Sequence, residues 1–82
     1  MNRGRQTTYR RSLQKALKDA RIAAGLRQDE VARQLNQSQS FVSKYEAGER
    51  RLDLAELRDI CEVLKISLAD LIREIEDNEN EA

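Results

Sequence analysis

Between Gln28 and Gly48 the chain runs QDEVARQLNQSQSFVSKYEAG, and no other stretch restricts the possible folds so strongly. Apolar residues recur at helical spacing on both sides of a polar break at Asn36 and Gln37, so the stretch reads as two short helices joined by a tight turn. Stepping 100° per residue along the second helix puts Val42, Tyr45 and, at the edge, Phe41 on one side. Gln39, Ser40, Ser43, Lys44 and Ala47 fall on the other. That outer face offers hydrogen bonds, and the remaining sequence must supply the core behind it.

The limits around this stretch are tight. With 82 residues and no internal linker, one domain with a modest core is expected. No room is left for the deep cleft of an enzyme. Charged residues make up 37% of the chain, and no apolar run nears the roughly 18 residues of a membrane span. The basic start leads into a helical pattern and not into a signal-peptide apolar region, so the expected location is the cytoplasm, at the nucleoid. Cys61 is the single cysteine and histidine is absent, which removes disulfides and the common zinc ligand sets. Its spacing from Leu57, Leu64 and Leu68 makes Cys61 a core residue. No glycine-rich phosphate loop is present, so neither a metal nor a cofactor is expected.

Charge is distributed unevenly under a net value of zero. Residues 1–50 hold eleven Lys or Arg against five acids, leaving +6, and residues 51–82 hold four against ten, leaving −6. A polyanion partner for the first part would explain the split, as would two solvated helix faces.

The expected organisation is a flexible basic arm over residues 1–8, a helical domain over 9–76 with its two-helix motif at 28–47, and an acidic tail over 77–82. Arg3 and Arg5 in the arm either reach a minor groove or phosphates, or belong to a frayed tail. A first helix is expected from near Thr8 to Ala24, with Leu13, Leu17, Ala20 and Ala24 inward. Gly25 stops it, and Leu26 packs over its end. Arg21, just past Ala20, lies on the inward side and needs a partner. The second helix, Gln28 to Leu35, buries Val31, Ala32 and Leu35 and carries Asp29 and Glu30 in its first turn. Arg27 is a poor cap, Asn36 suits a left-handed helix end, Ser38 caps the third helix and Gly48 ends it. A short turn between two short helices is what a helix-turn-helix requires.

Two further helices carry matched start signals. Asp53 with Glu56, flanked by Leu52 and Leu57, forms one capping box with its staple, and Ser67 with Asp70, flanked by Ile66 and Leu71, forms another. The first is expected to bury Leu54, Leu57, Ile60, Cys61 and Leu64, and the second Leu68, Leu71, Ile72 and Ile75. Fraying is expected from Glu76 onward.

From Leu17 to Ile72, about two thirds of the chain, the sequence resembles the Cro/cI-type helix-turn-helix regulators of the XRE family. The matching residues are Arg21, Gly25-Leu26, Gln28, Glu30, Val31-Ala32, Ser38, Val42-Ser43, Tyr45-Glu46, Gly48, and the later Leu57, Leu64, Leu68 and Leu71-Ile72. Gln-x-x-x-Ala followed by Ser-x-x-Tyr-Glu-x-Gly at this spacing is specific. The resemblance implies an all-α, five-helix lambda-repressor-like DNA-binding domain whose third helix enters the major groove. It assigns a phosphate contact to Gln28, positions at or near base edges to Ser38, Gln39, Ser40, Ser43 and Lys44, and a backbone approach to Arg50. It pairs Arg21 with Glu46 as a structural link between helices one and three. Arg27 and Asn36 stand where many members have Ser or Thr and Gly.

The chemistry of the face suits that role, since Gln pairs with adenine, Lys reaches guanine acceptors, and Ser allows close approach. Gln39 is the leading reader. Lys44 divides between base and phosphate, Ser38 reads first as a cap, Ser40 and Ser43 also fit solvated positions, and Tyr45 fits the core better than a stacking platform. One such domain covers about one half-site, so a homodimer on double-stranded DNA is expected, with Leu68, Ile72 and Ile75 in its interface. The function implied is a repressor of a palindromic operator. The alternative is the antitoxin of a toxin–antitoxin pair, its acidic part holding a toxin, or the controller of a restriction-modification system. No ligand pocket is apparent in the sequence, so control is expected through concentration, a partner or proteolysis.

Overall fold

The computed structural model describes residues 3–81, with side chains described over residues 7–79. Its elements are α1 (Arg3–Ala23), α2 (Gln28–Gln34), α3 (Gln39–Ala47), α4 (Leu54–Leu64) and α5 (Leu68–Glu81). Among the described residues the fold is therefore all-α with five helices, as expected. α2 and α3 pack on one another, α1 lies against both α3 and α5, and α4 closes the far side against α2 and α5.

Local chemistry sets most of the boundaries. Gly25 adopts φ +74°, and the Leu26 N–H then donates back to the Arg21 carbonyl at 3.1 Å, which closes the end of α1. Asn36 takes φ +58°, and the Gln37 N–H reaches the Ala32 carbonyl at 2.9 Å, so α2 ends by the same device without a glycine. At the start of α4 the Asp53 carboxylate accepts from the Glu56 N–H at 2.8 Å, and Glu56 accepts from the Asp53 N–H at 2.9 Å. Only half of the matching arrangement forms at α5. The Ser67 hydroxyl accepts from the Asp70 N–H at 3.2 Å, but the Asp70 carboxylate turns to Arg73 at 2.8 Å.

The core unites every helix. Leu17, Val31, Val42, Tyr45, Ile60, Leu71 and Ile75 are the largest fully buried side chains. At about 1.5–3 kcal/mol for each large aliphatic group withdrawn from water, these contacts fix the angle between α2 and α3 far more firmly than helix propensity could.

Several expectations are corrected. α1 begins at Arg3 and not near Thr8, because nothing from Arg3 onward forbids a helix: proline is absent, and Gly4 alone costs about 1 kcal/mol. The Arg3 and Arg5 side chains lie outside the described residues. α5 continues to Glu81 instead of fraying at Glu76. Contacts between the outer ends of the two helices support this extra length. Ser12 Oγ donates to Glu79 Oε2 at 3.3 Å, and the Tyr9 phenol is pushed up by burial and by the charges of Glu76 and Glu79.

Leu54 is 67% exposed, because it is the first residue of α4 and no preceding turn carries its stripe onto the core. Ala24 is exposed beyond the end of α1, and Ala16 takes a buried place that the expected stripe omitted. On α5, Leu71 and Ile75 face inward while Ile72 is 38% exposed. Ile75 is therefore fully used by the core of a single chain and offers no surface to a second one.

Candidate nucleic-acid interface

The α2–α3 pair presents one outward face, and its placement begins with how α3 is held. Phe41, Val42 and Tyr45 are buried on its inner side, and the Phe41 and Tyr45 rings meet edge to face with centroids 5.6 Å apart. Gly48 ends the helix at φ +82°, with the Glu49 N–H donating to the Lys44 carbonyl at 2.8 Å. A Cβ at Gly48 would stand 2.6 Å from the Gln14 amide, so glycine serves both the turn and the close approach of α1.

An ion pair fixes the other side. Arg21 Nε donates to Glu46 Oε2 at 2.7 Å and Arg21 Nη2 to Glu46 Oε1 at 3.1 Å, with the two side chains only 12% and 4% exposed. The remaining guanidinium nitrogen donates to the Leu26 carbonyl at 2.9 Å. Gln28 Nε2 completes the cluster by donating to Glu46 Oε1 at 3.0 Å. One carboxylate thus ties α1, the start of α2 and α3 together. The Glu46 hydrogen bonds raise the Arg21 pKa against the opposing effect of burial.

With its inner face and both ends held, α3 leaves Gln39, Ser40, Ser43 and Lys44 exposed in a row. The side chains of these four make no hydrogen bond or ion pair within the described chain. Such a row can donate to and accept from an external polar surface without first breaking an internal bond. Ser38 stands beside it at the N-cap position with φ −77° and ψ 157°, but its hydroxyl makes no capping hydrogen bond. The expected cap is therefore one of position only.

The other expected contact residues have internal partners. Gln28 gives one amide N–H to Glu46 and keeps a second donor and its carbonyl oxygen. Arg50 donates to Glu56 at 2.6 Å and to the Arg51 carbonyl at 2.6 Å, and its guanidinium lies 5.0 Å from the Phe41 ring centroid. It joins the loop after α3 to α4 and covers a core aromatic, a role that sequence reasoning missed. Arg27 pairs with Asp29 at 3.0 Å and is 71% exposed. Its bond holds the Asp29 carboxyl below its usual range, while Glu30 accepts from the Arg27 N–H at 2.8 Å, which ties the entry of α2 to its first turn.

Leu68 is half-buried and Ile72 exposed on α5, away from this row in the chain order. Cys61 is buried and its thiol is pushed up by that burial, which makes it a poor nucleophile. Among the described residues no cluster of His, Cys, Asp or Glu could hold a metal ion, and no helix is long and apolar enough to cross a membrane.

Residues 17–71 match the helix-turn-helix family. Among solved structures, an XRE-family-like protein from Pseudomonas syringae pv. tomato str. DC3000 is 37% identical over 94% of this chain and 96% of that one, with a TM-score of 0.85. The clp gene regulator ClgR from Corynebacterium glutamicum is similar in two crystal structures. One is 28% identical over 84% of this chain and 88% of that one, with a TM-score of 0.78. The other is 27% identical over 85% and 74%, with a TM-score of 0.79. No protein of curated function matches the chain.

Proposed function

The chain belongs to the XRE family of helix-turn-helix DNA-binding transcription regulators, and on that premise we propose that it is a repressor that binds a palindromic operator as a homodimer. The observation that carries this reading is the exposed row on α3, held at a fixed angle by the Arg21–Glu46 pair. Gln39, Ser40, Ser43 and Lys44 read base edges in the major groove, with Gln39 as the main discriminator. Ser38 adds a hydroxyl at the entrance to that helix.

Gln28 contacts a phosphate through the donor that Glu46 leaves unused, and Arg50 approaches the backbone with its exposed edge while keeping its bond to Glu56. These contacts set register without reading sequence. The dimer forms through α5 around Ile72, flanked by the half-buried Leu68. Occupying one operator would block access of polymerase to overlapping promoter DNA, which is the simplest action open to a domain of this size in the cytoplasm.

Selection of bound sites from random duplex DNA tests the proposal. The expected product is an inverted repeat whose half-sites lie about 34 Å apart, one turn of the duplex. Recovery of a single unrepeated site would contradict the dimer, and recovery of no common sequence would contradict base readout.

A further inference from the structure

Between α1 and the loop joining α3 to α4 lies a cavity of about 470 Å³, within the roughly 300–1,000 Å³ range of small-molecule sites. Four arginines line it, Arg10 and Arg11 from α1 and Arg50 and Arg51 from the loop, and no acidic residue does. Of the four only Arg50 has an ion-pair partner, Glu56, and Arg10, Arg11 and Arg51 form no ion pair among the described residues. Leu13, Leu17 and Leu52 supply apolar wall.

Tyr45 also lines the cavity, and its side chain is 2% exposed. Its hydroxyl is buried with no hydrogen-bond partner. A buried phenol without a partner is uncommon and asks for a reason. Nothing in the DNA-contacting face uses it, and the α1 residues lining the cavity up to Gln14 precede the stretch matched to the family.

We propose that this cavity binds a small organic anion, with a carboxylate or phosphate head among the arginines and an apolar body against the leucines. A phosphate of duplex DNA would satisfy the rim and leave the apolar wall and the Tyr45 hydroxyl unused. A ligand with a body fills the wall, and a polar atom on it gives Tyr45 a partner. Arginine suits the head, because its planar fork matches both carboxylate and phosphate oxygens. A site here would answer the sequence-level expectation that no ligand controls this chain.

The test uses the full chain, labelled for amide NMR, with hexanoate and phenyl phosphate as probes and hexanol, phenol and inorganic phosphate as comparators. Hexanoate and phenyl phosphate are expected to shift the Gln14, Tyr45 and Gly48 amides saturably, with dissociation constants on the order of millimolar for ligands so small. The neutral comparators and inorganic phosphate should bind at least several-fold more weakly. Joint substitution of Arg10→Gln and Arg11→Gln, at exposed positions that do not support the core, should weaken probe binding about tenfold, and Tyr45→Phe should weaken it with the fold retained. Absence of saturable shifts at these amides, equal binding of hexanol and hexanoate, or binding unchanged in the arginine variant would overturn the proposal. Duplex DNA is titrated separately and is expected to shift Gln39 to Lys44. If it shifts Gln14 and Tyr45 while the organic anions do not, the arginines serve DNA phosphates and the proposal fails, with the DNA reading left standing.

Discussion

Glu46 holds Arg21 by two hydrogen bonds, of 2.7 and 3.1 Å, across the junction of α1 and α3, and both side chains are nearly shut off from water. A charge pair in such a place contributes little net stability compared with a well-packed apolar pair, but breaking it strands a charge. Arg21→Met and Glu46→Leu are each expected to lower stability by about 3–5 kcal/mol, and the double variant to recover most of that loss. Denaturant unfolding of the three variants checks this, and additive losses would contradict it.

The two caps make a matched comparison. Asp53 accepts a backbone N–H at 2.8 Å, whereas the Ser38 hydroxyl accepts none at the start of α3. Asp53→Ala should therefore cost about 1 kcal/mol, and Ser38→Ala no more than a few tenths. Equal thermal shifts for the two variants would show that Ser38 does cap in solution.

On α5 the neighbours of Leu71 separate folding from assembly. Ile75→Ala opens a cavity in the core and should cost about 2–5 kcal/mol. Ile72→Glu, at an exposed position, should leave unfolding nearly unchanged and shift the protein to monomer in sedimentation. A dimer that survives Ile72→Glu would move the interface elsewhere.

Alkaline pH should destabilise the fold. Burial pushes up the Cys61 thiol and the Tyr45 phenol, and the Glu46 charge adds to the effect at Tyr45. Because the folded values are raised, stability is intact below the unfolded values, near 8.5 for cysteine and 10 for tyrosine, and falls as pH rises beyond them. Each group adds a slope of about 1.4 kcal/mol per pH unit while only its unfolded form ionises. Tyr45→Phe should remove the part above pH about 10, and it should also stabilise the fold at neutral pH by relieving the unpaired hydroxyl. Identical pH profiles for Tyr45→Phe and the parent chain would contradict the assignment.

The features legible in the sequence were those decided within a few residues. Gly25, Asn36 and Gly48 all end helices in the left-handed region, and Asp53 with Glu56 forms its box, because each depends on chain neighbours alone. Lys65 does the same at φ +59° after α4, without the small or amide side chain that would have signalled it. Periodicity locates the stripes but not where the core stops, so it puts Leu54 and Ile72 inside a core that leaves both exposed. The long-range hydrogen bond from Gln28 to Glu46 and the placement of the Arg50 guanidinium over the Phe41 ring have no local signature. The need of Arg21 for a partner was legible from its inward position, and the identity of that partner came from the family resemblance.

The central claim is that the exposed row on α3 reads bases while Gln28 holds the backbone. Comparing sites selected from random duplex DNA by the parent chain, Gln39→Ala and Gln28→Ala tests it most directly. Gln39→Ala should relax one base position in each half-site, a loss of about 1–3 kcal/mol in discrimination, and Gln28→Ala should weaken all sequences alike. A Gln39→Ala profile identical to that of the parent, at every position, would contradict the account.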